Sequence, residues 1–217
     1  MGSSRALIAA LAAEGWSKKP ERRAEQTATL MSALSEEFSS HGLRAVLVGG
    51  SAIEVWAPGA YVSDDTDVVV TGRPTGDPLP ERAAAVLQSL GFEKHGLGWE
   101  VGPLYVHVVG YDVLDPTTEI VLGSLRFEAV TPEVLLADRM IGFKHWPNST
   151  AYGQQAIALL AALGNNLDEE WLRSRLRRDS AENVLDALRE LMASGEPITL
   201  GQLELLQERL RGVPPRR

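Results

Sequence analysis

The sequence predicts an α+β protein, in which a short mixed β-sheet flanked by helices is followed by an all-helical C-terminal half. Two observations support this class. Short apolar, β-branched segments bounded by glycine and proline recur up to about residue 130. Thr131-Pro132-Glu133 is then a strong helix start, and the apolar spacing becomes helical almost to the end of the chain. We therefore expect residues 1–130 to form the α+β core with its N-terminal helices, and residues 131–217 to form a helical region that packs on it.

In the first half, glycines mark the ends of several predicted elements. The second helix has apolar residues in steps of three and four along one face, and Gly42 ends it. Gly49-Gly50 stops the first strand, and Ser51 is expected to cap the helix that follows. The predicted elements are helices at residues 6–13, 24–41, 51–56 and 81–90 and strands at residues 43–48, 66–71, 99–101, 104–109, 120–122 and 125–129.

The second half is predicted to contain only helices. They are expected at residues 132–144, 150–163, 168–177, 181–192 and 200–211, and the Pro-Pro-Arg-Arg end is expected to fray. Four arginines lie near the end of the third of these helices: Arg173, Arg175, Arg177 and Arg178. They either complement the helix macrodipole or attract RNA phosphate, and we favour the first interpretation.

The composition is that of an ordinary globular protein and excludes several classes of function. The chain has 217 residues, of which 44% are hydrophobic and 23% charged, with a formal net charge of −8. It contains no cysteine, which excludes a disulfide framework, a zinc ribbon and thiol catalysis. Residues 1–170 carry 12 basic and 22 acidic side chains. This balance disfavours non-specific binding to nucleic acid, which needs clustered positive charge, but it is compatible with a local site for a nucleotide, a metal or one RNA end.

The apolar segments are too short to span a bilayer. No run approaches the ~20 apolar residues that a transmembrane helix needs, so we expect no membrane partner. Residues 6–13 resemble the core of a signal peptide, but Glu14 and the charged run at residues 18–25 interrupt it. We expect an amphipathic first helix and a cytoplasmic protein.

One constellation of residues suggests chemistry. A strand ends in Gly49-Gly50, Ser51 follows at the start of a helix, and Asp65 and Asp67 stand at the start of a valine-rich strand. Residues i and i+2 of a strand share a face, so the two carboxylates are expected to project together, and a divalent cation such as Mg²⁺ or Mn²⁺ would relieve their repulsion. Paired glycines allow a close backbone approach, and a helix N-terminus binds anions. The combination predicts a place where a triphosphate meets a metal.

Each part of the constellation also has a structural explanation. Gly-Gly after a strand is more often a plain turn, and an Asp-Asp-x-Asp cluster is more often a solvated loop. The pattern is not an EF-hand, which needs further oxygen ligands, and it is not a P-loop, which needs a following Gly-Lys-Ser/Thr. Because all the parts occur together in this order, we favour the functional interpretation.

These residues resemble the DNA polymerase β-like nucleotidyltransferase superfamily. Its signature is an apolar strand ending in Gly-Gly or Gly-Ser and, about ten residues later, Asp-x-Asp within a hydrophobic strand. Here the two parts are Val46-Leu47-Val48-Gly49-Gly50-Ser51 and Asp65-Thr66-Asp67-Val68-Val69. The Gly-Gly-Ser-Ala and Ser-x-Asp-x-Asp forms look most like small bacterial nucleotidyltransferases related to AbiEii-type toxins. The resemblance covers roughly residues 43–165, including the helix start at Thr131 and the Asp138-Arg139 pair within that helix.

The resemblance implies metal-dependent transfer of a nucleotidyl group from an NTP to a hydroxyl, with release of pyrophosphate. Asp65 and Asp67 would hold Mg²⁺ or Mn²⁺ and be catalytic. The glycine turn, Gly49 and Gly50, would contact the nucleotide phosphates together with Ser51. A basic clamp on the triphosphate would come from Arg139 or Lys144, although a surface ion pair explains Arg139 equally well.

The third carboxylate that such enzymes carry on a later strand is missing from its expected position. The equivalent strand, residues 104–109, has His107 there. Three interpretations compete: His107 is the catalytic base, since histidine is the residue type that most readily exchanges a proton near neutral pH; another acid supplies the carboxylate; or activity is weakened. The acids considered for the second interpretation are Glu100, Asp112 and Glu119.

Two classes of function follow. The first is an enzyme that modifies an RNA end or a protein hydroxyl as part of a toxin–antitoxin or defence system, with an antitoxin as partner, or a small-molecule (antibiotic) nucleotidyltransferase. The second is a catalytically weakened protein that binds a nucleotide or a partner on the same fold. A third carboxylate beside Asp65 and Asp67 favours the enzyme, and His107 standing alone favours the binding protein.

Overall fold

A computed structural model describes residues 2–212 and shows two compact units. The first unit ends at Thr131 and contains helices and strands, whereas the second begins at Pro132 and contains helices. The Pro-Pro-Arg-Arg end, for which fraying is expected, lies outside the described residues.

The first unit contains one sheet and four helices. The helices are α1 (Gly2–Glu14), α2 (Pro20–Ser40), α3 (Gly49–Trp56) and α4 (Leu79–Ser89). The strands are β1 (Leu43–Leu47), β2 (Thr66–Gly72), β3 (Glu93–His95), β4 (Gly98–Val101), β5 (Leu104–Gly110), β6 (Thr117–Leu122) and β7 (Leu125–Val130).

The seven strands form one mixed sheet in the order β3-β4-β5-β2-β1-β7-β6. Strand β1 is antiparallel to β2 and parallel to β7, and β2 is parallel to β5. The remaining pairs are antiparallel neighbours in sequence. Strand β1 and the valine-rich strand β2 lie in the middle of the sheet, where their apolar side chains are buried. The mixed sheet with its flanking helices and the helical C-terminal region confirm the predicted fold class.

Helix α2 forms the core of the first unit against the sheet. It packs on β1, β7 and α3, and Ala28, Met31, Leu34 and Phe38 are completely buried. Their spacing of three and four residues is the pattern that predicted the helix. The helix begins at Pro20, four residues before the predicted start, because proline is well suited to the first turn.

Two further predictions in this unit need correction. Helix α3 begins at Gly49 with Val48 as its N-cap, so Ser51 is the third residue of the helix and not its cap. Strand β3 was not predicted at all, because its three residues are polar and exposed and carry no apolar alternation.

The second unit contains five helices among the residues described. They are α5 (Pro132–His145), α6 (Thr150–Leu163), α7 (Glu169–Arg178), α8 (Glu182–Ala193) and α9 (Leu200–Leu210). Helix α5 contacts all four others, and its Leu135, Leu136, Met140 and Phe143 are buried. None of the described helices, in either unit, combines the length and apolarity needed to cross a membrane.

Candidate metal centre

The strand register places Asp67 and His107 side by side. Asp67 lies in β2 directly opposite His107 in the parallel neighbour β5. The Nδ1 atom of His107 is 3.4 Å from Oδ1 of Asp67, and the two side chains are 30% and 22% exposed. Both groups are therefore held by the centre of the sheet while being accessible to solvent.

Asp65, two residues before Asp67, completes a cluster of three potential metal ligands. One ligand atom from each of Asp65, Asp67 and His107 lies within 4.8 Å of the others. Two carboxylates this close repel each other, so a cation between them would be stabilising. The set of two oxygen donors and one imidazole nitrogen fits a divalent metal, and the nitrogen suits Mn²⁺ better than Mg²⁺.

The glycine turn after β1 approaches Asp67 so closely that a side chain would not fit. Gly49 has a φ of +67°, in the left-handed region. A Cβ atom on Gly49 would lie 3.0 Å from Cβ and 3.1 Å from Cγ of Asp67, and closer still to its Oδ2. The backbone N–H of Val48 also donates to the Asp67 carbonyl, at 3.0 Å. The absence of a side chain at Gly49 therefore allows the turn to lie in close contact with the Asp67 carboxylate.

Gly50 is confined on the other side of the turn. A Cβ atom there would lie 2.9 Å from Oγ of Ser63 and 2.9 Å from Cε1 of Tyr61. Both glycines thus begin helix α3 beside the segment that carries Asp65. The first N–H groups of a helix have no partner within it and favour negative charge, so this helix start is suited to hold carboxylates or phosphate oxygens.

The hydroxyl of Ser51 has a protein partner. Ser51 is 1% exposed, and its Oγ donates a short hydrogen bond to the Asp65 carbonyl. Its side chain therefore fastens the Asp65 segment to α3. The contact with phosphate expected for Ser51 would have to be made by its backbone N–H.

The loop before Asp65 is fixed by buried groups that sequence reasoning missed. Ser63 is 4% exposed; its Oγ donates to Oδ1 of Asp65 at 3.0 Å, and its backbone N–H donates to Oε1 of Glu54 at 2.5 Å. Arg23 donates to the Ser63 carbonyl and lies 3.4 Å from Glu54. The available signal was Glu54, a charged residue within the apolar pattern of α3, whereas Arg23 lies in the charged run at residues 18–25 and no local pattern marks it.

Burial shifts the pKa of two groups in the first unit. Desolvation lowers the pKa of Arg23 below its ordinary value, although the nearby carboxylate of Glu54 opposes the shift. Burial raises the pKa of Tyr111, which follows β5.

Among the described residues 2–212, the cluster does not include any of the three acids considered for the missing carboxylate. Glu100 in β4 pairs with His95 in β3 at 3.2 Å. Glu119 is in the edge strand β6 and pairs with Arg126 at 3.6 Å. Asp112 is exposed just after β5. The position opposite Asp67 is occupied by His107.

The two predicted basic residues belong to the second unit and have contacts there. The guanidinium of Arg139 lies 5.1 Å from the centre of the Tyr152 ring, and its buried Nε has no hydrogen-bond partner among the described residues. The ammonium of Lys144 donates to the Ser180 carbonyl and, at 2.9 Å, to Oδ1 of Asn183. A contact of either residue with a triphosphate stays a prediction.

Comparisons with known proteins identify a related fold. No protein-family model matches the chain, and no curated protein matches it in sequence. A solved structure, an antigenic nucleotidyltransferase-like protein from Paracoccidioides brasiliensis, superposes with a TM-score of 0.52. The aligned region is 16% identical and covers 76% of this chain and 93% of that protein. At this identity the likeness shows the fold alone, and this chain therefore has a nucleotidyltransferase-like fold.

Proposed function

We propose that this protein is a metal-dependent nucleotidyltransferase, which moves a nucleoside monophosphate from an NTP to a hydroxyl acceptor. The observation that carries the proposal is the cluster of Asp65, Asp67 and His107 beside the glycine start of α3, on a nucleotidyltransferase-like fold. In the reaction the acceptor oxygen bonds to the α-phosphorus, the bond to the pyrophosphate oxygen breaks, and the hydroxyl proton is released.

Asp65 and Asp67 are the residues that would hold the metal, with His107 as the third donor. A divalent metal bound there supplies charge neutralisation for the phosphates and for the attacking and leaving oxygens. The donor set supports this assignment because two carboxylates and an imidazole converge within 4.8 Å. The imidazole favours Mn²⁺ over Mg²⁺, since hard Mg²⁺ prefers oxygen ligands only.

The glycine turn would bind the triphosphate. Phosphate oxygens would accept hydrogen bonds from the backbone N–H groups at the start of α3, which have no acceptor within the helix and favour negative charge. The short distance from this turn to Asp67 supports a triphosphate bound next to the metal. Arg139 and Lys144 are proposed as additional cationic contacts to the phosphates.

For the biological role we propose a cytoplasmic toxin-like or defence-related enzyme that acts on an RNA end or a protein hydroxyl and is controlled by an antitoxin. The support is the resemblance of the Gly-Gly-Ser-Ala and Ser-x-Asp-x-Asp patterns to AbiEii-type proteins. A small-molecule acceptor is an alternative within the same chemistry.

The proposal is tested by nucleotide binding and turnover on matched variants. We would measure thermal unfolding with each NTP, with and without Mg²⁺ or Mn²⁺, and then the release of pyrophosphate with candidate acceptors. Ligand at 100 times its Kd stabilises a fold by ~2.7 kcal/mol, which is easily seen as a melting shift. We expect a metal-dependent shift for one NTP, which Asp65→Asn/Asp67→Asn abolishes.

The neighbouring exposed acid provides the control. Asp64→Asn removes a charge next to the cluster without removing a member of it, and should leave the shift unchanged. The absence of a shift with every NTP would contradict the proposal. A metal-dependent shift without pyrophosphate release under any condition would favour the catalytically weakened nucleotide-binding protein.

A further inference from the structure

A buried ion pair lies under the segment that leads to Asp65. Arg23 in α2 and Glu54 in α3 are 2% and 1% exposed, and Nε of Arg23 is 3.4 Å from Oε1 of Glu54. The indole ring of Trp16 covers the guanidinium, 3.5 Å from its carbon. Burial of a charge pair is seldom the most stable way to fill such a space, because desolvation offsets the attraction. A pair in this position therefore calls for an explanation other than stability.

The pair holds both backbone polar groups of one loop residue. Oε1 of Glu54 accepts the N–H of Ser63 at 2.5 Å, and the guanidinium of Arg23 donates to the Ser63 carbonyl. The other carboxylate oxygen of Glu54 accepts a hydrogen bond from Thr27 at 2.6 Å, which fixes its rotamer. Charge-assisted hydrogen bonds of this kind are shorter and stronger than neutral ones. The peptide groups around Ser63 are therefore held from two helices.

Ser63 in turn holds the side chain of Asp65, the proposed metal ligand. Its hydroxyl donates to Oδ1 of Asp65 at 3.0 Å, while Ser51 donates to the Asp65 carbonyl. The Asp65 carboxylate lies close to that of Asp67, and without a cation between them their electrostatic repulsion favours a larger separation. Fixed hydrogen bonds to both the side chain and the backbone of Asp65 oppose that movement.

We propose that Arg23 and Glu54 are positioning residues, which hold the Ser63–Asp65 segment so that the Asp65 carboxylate faces Asp67 and His107 before the metal arrives. Neither residue belongs to the cluster itself; they act through Ser63. That Asp65 ligates a metal rests on the proposed function, whereas the fixed loop conformation rests on these hydrogen bonds alone. A preorganised ligand binds its metal more tightly because less conformational freedom is lost on binding.

The test replaces the ion pair with apolar side chains of similar size. Arg23→Met/Glu54→Leu removes both charges together, and such replacements of buried pairs often fold as stably as the original. We expect at least a tenfold loss of Mn²⁺ affinity, measured by the electron paramagnetic resonance of free Mn²⁺. We also expect faster amide hydrogen exchange over residues 61–66 in the metal-free protein.

A variant destabilised at another position separates positioning from general loosening. Leu34→Ala creates a cavity in α2 at a completely buried position away from this network. It should lower the melting temperature but leave Mn²⁺ affinity and the exchange of residues 61–66 close to wild type. The proposal is overturned if the double variant binds Mn²⁺ as the wild type does, or exchanges no faster over residues 61–66 than Leu34→Ala.

The two readouts also distinguish this proposal from the proposed function. If the wild type fails to bind Mn²⁺, the metal function is contradicted, and hydrogen exchange over residues 61–66 still decides whether the pair fixes the loop. If the wild type binds Mn²⁺ and the double variant binds it equally, the metal function stands and the positioning role is rejected. Faster exchange together with weaker Mn²⁺ binding supports both.

Discussion

Gly49 is required both by its positive φ and by the lack of space for a side chain. Gly123 shares the positive φ but has space for a side chain, so comparison of the two separates these requirements. Gly49 has a φ of +67°, and Gly123, in the turn between β6 and β7, has a φ of +61°. A Cβ on Gly123 would meet nothing within 4 Å, whereas one on Gly49 would press on the Asp67 side chain. An alanine at either site meets a similar backbone penalty of ~1–2 kcal/mol. Only the alanine at position 49 disturbs a proposed metal ligand.

We therefore predict different outcomes for the two alanine variants. Gly123→Ala should lose ~1–2 kcal/mol of stability in denaturant unfolding and keep the metal and nucleotide affinity of the wild type. Gly49→Ala should lose at least as much stability and, in addition, bind Mn²⁺ and NTP markedly more weakly, as measured by calorimetry. Equal affinities in the two variants would show that the close contact with Asp67 does not matter for binding.

His107 leads to a second prediction at the scale of the residue. As the nitrogen donor of the cluster, it should matter more for Mn²⁺ than for Mg²⁺, because imidazole is a poor ligand for Mg²⁺. We expect His107→Ala to weaken Mn²⁺ binding at least about tenfold, comparable to the loss of an outer-shell group in known metal sites, and to change Mg²⁺ binding less. Competition of the two ions, followed by the Mn²⁺ resonance signal, measures both.

The control for His107 is the other histidine of the sheet region. His95 in β3 pairs with Glu100 at 3.2 Å and lies outside the cluster, so His95→Ala should leave the affinity for both metals unchanged. Unchanged Mn²⁺ affinity in His107→Ala, together with a loss of turnover, would contradict the ligand role and favour a role as proton acceptor.

At the scale of elements, the parts that could be predicted from the sequence are those that local patterns specify. The valines of β2 and the spacing in α2 each predict an element from a few adjacent residues. The pairing of β2 with β5 depends on the order of the whole sheet, which is why only the family resemblance, and no local pattern, indicated His107 as the strand neighbour of Asp67. The network of Arg23, Glu54 and Ser63 joins residues 9 and 40 positions apart, and no sequence period marks such contacts.

Helices α7 and α8 carry a charge network in place of the free basic cluster that an RNA site would need. Arg173 donates to Glu169 at 2.8 Å and to Asp186 at 2.8 Å, and Arg189 pairs with Glu169 at 2.9 Å. Arg177 pairs with Glu182 at 2.9 Å. Arg175 also lies 3.4 Å from Asp179, so three of the four arginines considered for RNA binding have carboxylate partners within the unit: Arg173, Arg175 and Arg177.

This network gives the second unit a specific dependence on pH. Hydrogen bonds from Arg189 and Arg173 lower the pKa of Glu169 from 4.5 to about 2, and a hydrogen bond from Arg173 also lowers the pKa of Asp186. Because the pKa values of these acids are depressed in the folded state, their contribution to stability is complete above about pH 4.5 and is lost as the pH falls towards 2. Solvent exposure reduces its size.

We predict that Arg173→Met flattens this dependence. The free energy of unfolding of the variant, measured with urea, should fall less steeply between pH 4.5 and pH 2 than that of the wild type, and the two should differ most near neutral pH. Arg178→Met changes an exposed arginine of the same helix and should keep the wild-type slope. Identical slopes for Arg173→Met and the wild type would show that the pairs contribute nothing measurable.

At the scale of the whole molecule, charge limits the kind of acceptor that the proposed enzyme could use. Residues 1–131 contain 10 basic and 17 acidic side chains, and residues 132–217 contain 11 and 12. Neither unit therefore offers the excess of positive charge on which proteins that follow a nucleic-acid backbone depend. An acceptor recognised mainly by its reactive hydroxyl and immediate surroundings agrees with this balance better than one held along many phosphates.

The final prediction follows from this balance and concerns salt. We would measure binding of labelled duplex DNA and of an RNA hairpin by fluorescence anisotropy between 50 and 200 mM salt. For both ligands the Kd at physiological salt should be larger than ~10⁻⁴ M. Each phosphate neutralised adds about −0.9 to the slope of log K against log salt for duplex DNA and about −0.7 for a single strand, so the slopes should stay close to zero. Pairing of Arg173 and Arg177 with acids leads to the same expectation, because paired arginines release few counterions. A steep slope for the hairpin but not for the duplex would contradict it and indicate an RNA acceptor whose backbone is bound.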